Sequence, residues 1–266
     1  MKECEELGVF QEDAAQHLKL TFFILHHATT YAHTKILIRC LQSIRRLYPK
    51  NPIVICKTST TAITEDIISS FKVRIVNTAY DGSTIWGGIC SLIDDIAIDN
   101  YILLHDSMVL LKKLPSSIFD KSFYPIWDFE GHREDHHSLI ESWLSVSNFA
   151  KHEIEPLLRI YDEHKTWKGL FGPAFGGKRK ALEKIEFVLD LKKNIHLYAA
   201  PKNIMCAERF LSIIIKYLNI INSKPLCGTI FDQPFAWRTE YNVMPLSDIL
   251  NVDYDSYVFK SWVNRT

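Results

Sequence analysis

The sequence predicts an α/β fold, a three-layer α/β/α sandwich around a mostly parallel central sheet. Three observations carry that expectation. Apolar β-type runs alternate with helical stretches through the first 110 residues, the pattern that crossover connections between parallel strands produce. One run, Tyr101-Ile102-Leu103-Leu104, has no polar face, as a strand buried on both sides requires. Apolar residues make up 47% of the 266-residue chain, enough to fill a core between layers.

Taken in order, residues 1–18 are polar with weak helical character. Residues 20–25 form a β-type run that stops at His26-His27. Thr29 and Thr30 offer caps for a helix reaching about Tyr48. Its apolar positions Ile36, Leu37, Cys40, Leu41, Ile44 and Leu47 recur at helical spacing, while Arg39, Gln42, Arg45 and Arg46 fall largely off that face. Residues 53–56 form a second strand, 64–70 a short helix and 73–76 a third strand. The turn Tyr80-Asp81-Gly82-Ser83 leads into a helix over 84–98, with Ile85, Trp86, Ile89, Leu92, Ile93 and Ile96 as its buried stripe. The central strand at Tyr101 follows.

Beyond Pro115 the pattern changes. Residues 123–130 are aromatic and irregular, and 131–137 are strongly polar. A helix is predicted over 156–165, with Pro156 in its first turn. Residues 171–179 read as a glycine-interrupted strand, followed by helices over 180–189 and 204–218. The last forty residues are aromatic without regular periodicity.

Composition narrows the function. Lysine plus arginine equals aspartate plus glutamate at 31 each, which argues against nucleic acid as a partner. No apolar run is long enough to span a bilayer, and the acidic start is wrong for a signal peptide. Six cysteines without a CxxC fit a reducing, cytoplasmic setting better than a disulfide framework or a zinc site. Oligomeric state is not encoded in any feature of the sequence. A single domain over 1–266 is expected.

The order of parts resembles the GT-A type of glycosyltransferase, and four places carry the likeness. These are the first strand with its helix, Asp81-Gly82 followed by Trp86-Gly87-Gly88, Asp106 after the central strand, and Phe175-Gly176-Gly177-Lys178-Arg179 with Ala207-Glu208-Arg209-Phe210. The resemblance spans roughly residues 20–219. It implies a nucleotide-sugar-binding half over about 20–115, an acceptor and catalytic half over about 116–219, and a tail over 220–266. It also implies a UDP- or GDP-sugar donor, a glycan or glycoconjugate acceptor, and Mn²⁺ or Mg²⁺ held at Asp106, the first carboxylate of the family's Asp-x-Asp motif. The chain departs from that motif in reading His105-Asp106-Ser107-Met108, and a methionine does not bind a hard cation. A basic residue would then have to neutralise the leaving diphosphate.

On this resemblance Asp106 and Ser107 are candidates for the diphosphate and ribose, although a strand-end aspartate also caps turns. Asp81 is a candidate for the base or ribose, and equally a turn residue before Gly82. Gly87 and Gly88 allow a close approach of sugar or diphosphate, or only tight helix–sheet packing, and Gly176 and Gly177 let the backbone approach the acceptor or donor sugar. His26 lies at a strand end where it can touch the base, and His105 reads as an orienting histidine. Glu208 is the candidate catalytic base and Arg209 its diphosphate or orienting partner; the alternative is a glutamate complementing a helix dipole. Asp128 and Glu130 are rival bases. Residues 132–137 read as a solvated loop, a candidate lid, rather than a metal cluster. Two other functions compete: a sugar nucleotidyltransferase, which lacks its lysine-bearing glycine loop here, and a catalytically silent glycan- or nucleotide-binding module.

Overall fold

The computed structural model describes residues 20–26, 31–57, 63–78, 85–118, 120–129, 136–163, 167–198, 204–221, 223–233, 244–252 and 254–261. Its first half alternates as expected. Strand β1 (Leu20–His26) leads to α1 (Tyr31–Leu47), β2 (Ile53–Lys57), α2 (Glu65–Phe71), β3 (Arg74–Asn77), α3 (Ile85–Asp94) and β4 (Asn100–His105). β2 and β4 flank β1, β3 lies outside β2, and all these pairings are parallel. The second half supplies β5 (Met108–Leu110), β6 (Phe123–Pro125), β7 (Asp128–Phe129), α4 (His137–Ser145), α5 (Lys151–Asp162), β8 (Gly169–Leu170) and β9 (Phe175–Lys178). There follow α6 (Arg179–Leu189), α7 (Leu191–Tyr198), α8 (Ile204–Tyr217), α9 (Leu246–Leu250) and β10 (Val258–Lys260).

The central sheet has the order β3-β2-β1-β4-β9-β6, with β9 antiparallel to both its neighbours. Strand alternation divides the core into two layers. Phe23, Leu25, Tyr101, Leu103 and Phe175 face a cluster built with α3 to α8. Leu20, Phe22, Ile24, Ile102 and Leu104 face the other cluster, built with α1 and α2. The three-layer α/β/α arrangement with a mostly parallel sheet is therefore present, and it follows from two apolar faces on every central strand.

Several elements differ from expectation for local reasons. α3 stops at Asp94 rather than continuing to 98, because Asp95 turns its carboxylate onto the backbone N–H of Ala97 and diverts the chain. Ile96, expected in the buried stripe, is 82% exposed. α5 begins at Lys151, where the Glu153 carboxylate accepts the backbone N–H of Ala150, so Pro156 lies inside the helix instead of in its first turn. α4, α7 and the β5–β10 pairing were not anticipated. Arg39, placed off the buried face of α1, is itself buried and donates to the Met244 carbonyl at 2.7 Å and to Ser261 Oγ at 2.6 Å. α1 also steadies β5, through Ser43 Oγ on the Leu110 N–H and Arg46 on the carbonyls of Leu110 and Leu111.

Gly177 shows why β9 needs small residues. Its φ is +155°, and a Cβ there would collide with the backbone carbonyl of Ser122. We expect Gly177→Ala to destabilise the fold by about 1–3 kcal/mol, read as a lower urea midpoint at unchanged slope.

Candidate active site

The parallel strands β1 and β4 end side by side, Leu25 opposite His105, and the turn Asp106-Ser107 follows immediately. The Asp106 backbone N–H donates to the Leu25 carbonyl at 3.1 Å, so the turn is an extension of the ladder. The Asp106 carboxylate is 1% exposed, and both its oxygens are engaged. His26 Nδ1 lies 2.6 Å from Oδ2 and His105 Nδ1 lies 2.7 Å from Oδ1. A carboxylate only accepts, so both Nδ1 atoms carry a proton in this arrangement. His26 Nε2 is buried and has no hydrogen-bond partner among the described residues.

Strand β10 completes this edge. It pairs antiparallel with β5, and Lys260 stands directly opposite Met108. Lys260 Nζ donates to Ser107 Oγ at 2.7 Å, and the Ser261 N–H donates to the Ser107 carbonyl at 2.9 Å. Lys260 was missed in the sequence because nothing in the aromatic tail marks residues 258–260 as a strand.

The second carboxylate comes from the first turns of α8. Glu208 Oε1 accepts the Gly172 backbone N–H at 2.8 Å, and Gly172 has φ +59°, which a side chain would strain. Burial pushes the Glu208 carboxyl up to about 7, opposed by the Gly172 hydrogen bond and by the charges of Arg209 and Lys260. The field of Lys260 thus reaches Glu208 while its ammonium touches Ser107. Arg209 is buried and sits over the Phe129 ring, 5.2 Å from its centroid. Phe129 in turn packs on Gly169, where a Cβ would occupy the ring's position. Asp128 is held by Thr229 Oγ1, which donates at 2.6 Å, and by Lys168 Nζ at 3.4 Å.

The structure therefore brings His26, Asp106 and Ser107 together, adds His105 and Lys260, and sets Glu208 and Arg209 within electrostatic reach. It does not bring Gly176 and Gly177 there. They pair with Ile102 and Tyr101, the latter about 16 Å back along β4 from Asp106, and a Cβ on Gly176 would strike the Tyr124 ring. Gly87 and Gly88 are buried in the first turn of α3, and Gly88 packs against Leu25 of β1. Asp81, Glu130 and residues 132–135 lie outside the described residues. His137 pairs with Asp162 at 3.6 Å.

The fit of this edge to a divalent cation is poor. Mg²⁺ and Mn²⁺ need several oxygen ligands close by. Here both Asp106 oxygens are taken by imidazoles, and Met108, itself buried, offers only a thioether. Among the described residues no three His, Cys, Asp or Glu side chains are grouped to hold a metal ion. No helix of the described residues is long and apolar enough to cross a membrane.

Neither a protein-family model nor a curated protein sequence matches the chain. Solved structures are similar to it at low identity. One is GalNAc-T7 with UDP, GalNAc and Mn²⁺, 11% identical with a TM-score of 0.37 over 60% of this chain and 35% of that one. Another is the mannosyltransferase Ktr4p from S. cerevisiae in complex with GDP, 11% identical with a TM-score of 0.43 over 77% and 67%. A third is a nucleotidyl transferase from Methanothermobacter thermautotroptrophicus, 8% identical with a TM-score of 0.36 over 76% and 95%. The chain thus spans about a third of the first of these proteins. Likeness of this degree carries no argument about activity, which has to be argued from the site.

The two-histidine clamp has a measurable consequence. Asp106→Asn places an amide N–H₂ against an imidazole N–H and loses one of the two buried hydrogen bonds. We expect it to cost roughly 1–3 kcal/mol, measured by urea unfolding. An unchanged midpoint would mean that the histidines do not hold this carboxylate.

Proposed function

We propose that the protein is a glycosyltransferase that moves a sugar from a nucleotide-diphosphate sugar, a UDP- or GDP-sugar, to a hydroxyl of a glycan or glycoconjugate. The chain 1–266 acts as one domain, with the donor at the C-terminal ends of β1 and β4 and the acceptor near Glu208. One observation carries this reading. Within electrostatic reach of Lys260, whose ammonium touches a strand-end turn suited to a ligand, the half-buried Glu208 carboxyl is held near neutral affinity for protons by burial, with Arg209 as a second cation. A general base works best with a pKa near the working pH.

In the reaction, the acceptor oxygen attacks the anomeric carbon as the bond to the diphosphate oxygen breaks. Its proton passes to Glu208, and the bonding electrons leave with the diphosphate. Gly172 aims the Glu208 carboxylate through its N–H. Arg209, fixed on the Phe129 face, orients the donor. Glu208 is preferred over Asp128 as base, because Asp128 already has Thr229 on one oxygen and Lys168 on the other. A second reading, a silent nucleotide- or glycan-binding module, is favoured by Met108 standing where a second acidic ligand would be.

Calorimetry with UDP, GDP and their sugars, followed by donor turnover, separates the two. Binding with turnover supports the transferase, binding without turnover supports the module, and no binding rejects both nucleotide readings. In the active enzyme, kcat/KM should rise with pH through about 7 and level off above it, as Glu208 loses its proton. Glu208→Gln should flatten that limb and lower kcat by roughly 10²–10⁴-fold. The same change should leave the fold at least as stable at pH 8. A carboxyl raised from 4.5 to about 7 weakens folding as pH climbs through that range, and an amide does not ionise.

A further inference from the structure

We propose that Lys260 is the fixed cation that binds the donor's diphosphate, standing where the motif's second metal-binding carboxylate would otherwise act. The inference rests on the transferase reading above and names the group that neutralises its leaving group.

Register is the first argument. Lys260 pairs with Met108 across the β5–β10 ladder, so an ammonium replaces a carboxylate's partner cation at the same rung. Direction is the second. Val258 and Lys260 share one face of β10, and Val258 packs into the same cluster as Met108 and Leu110, so the lysine leaves the strand on the core-facing side and not outward as a solubilising lysine does. Its Nζ reaches Ser107 Oγ at 2.7 Å, in the turn that directly follows β4. Bringing an ammonium to a partly buried position is costly unless an anion or acceptor meets it.

Fixation is the third argument. The Ser261 N–H donates to the Ser107 carbonyl, and buried Arg39 grips Ser261 Oγ and the Met244 carbonyl, so both ends of the segment carrying Lys260 are tied to α1 and the turn. A charge aimed in advance at a developing anion needs no reorganisation when the bond breaks. The fourth is the state of Asp106. Each of its oxygens already accepts from an imidazole, so a cation placed there would have to share an oxygen with a histidine. During transfer Lys260 stays an ammonium. It gives up no proton, and the electron pair released at the diphosphate oxygen is met by its charge.

The test uses the full chain, with UDP and GDP compared against UMP and GMP by calorimetry, in chelator and then in Mn²⁺. Wild type should bind a nucleoside diphosphate equally well in both buffers. Lys260→Met should weaken diphosphate binding roughly 10- to 100-fold while monophosphate binding changes less than about threefold. Lys260→Arg should restore most of the difference, and its unfolding curve shows whether the strand still forms. Equal loss of mono- and diphosphate in Lys260→Met would assign the lysine a structural role and overturn the proposal, as would diphosphate binding that appears only with Mn²⁺. In both cases the transferase reading stands. If wild type binds no nucleotide in either buffer, the reading itself fails and the inference falls with it.

Discussion

The C-terminal edge of the sheet hangs on the pairing of the buried Asp106 carboxylate with His26 and His105. A charge with 1% exposure is prohibitive to bury alone and tolerable only when hydrogen-bonded donors replace its water. The donors come from the ends of two adjacent strands, so the electrostatic requirement and the β1–β4 register enforce one another. Slip the register by one residue and every side chain changes face, taking the histidines away from the carboxylate. The position of Ser107, and of β5 after it, follows from that turn.

A second buried charge organises the other end of the chain. Arg39 projects from α1 and donates to a carbonyl and a hydroxyl of the tail. Burial lowers its pKa, because the charged guanidinium is held away from water. The consequence is architectural. Lys260 and Ser107, 153 positions apart, meet because α1 holds β5 through Ser43 and Arg46 while Arg39 holds the segment after β10.

How much of this was legible in the sequence depends on what kind of signal each element carries. β1, β2, β4, α1 and α8 announce themselves by period and by lacking a polar face, and their placement follows from burial alone. Asp106 was legible for the same reason, as the first polar group after a doubly apolar strand. Its histidine partners were visible as residues but not as a clamp, because strand pairing rather than spacing brings His26 to it. The glycines misled. Gly176 and Gly177 suggest ligand approach on paper, yet the space they leave is filled by Tyr124 and the Ser122 backbone. Gly172 carries no motif, and only its positive φ and its N–H on Glu208 reveal a purpose. Lys260 was illegible because a three-residue strand has no periodicity, and the segment next to it is held by Arg39, a residue that reads as a surface cation in a helical pattern.

Charge balance around Glu208 ties these parts into one device. A direct ion pair with Arg209 would hold the carboxyl low and make it a weak base. Arg209 lies over the Phe129 ring, and burial of Glu208 outweighs the pull of both cations, so the carboxyl settles near 7. On the transferase reading the balance then shifts with occupancy. A diphosphate beside Lys260 cancels part of the cation's pull and adds negative charge of its own, and both effects raise the proton affinity of Glu208. The base therefore strengthens when the donor is in place and is weaker in the empty site. A metal bridging the phosphates would work the other way, because a double positive charge near Glu208 would depress its carboxyl. One ammonium in place of one divalent ion is thus consistent with a base tuned by burial, and Met108 and Lys260 facing each other across a single rung belong to the same electrostatic solution as Glu208.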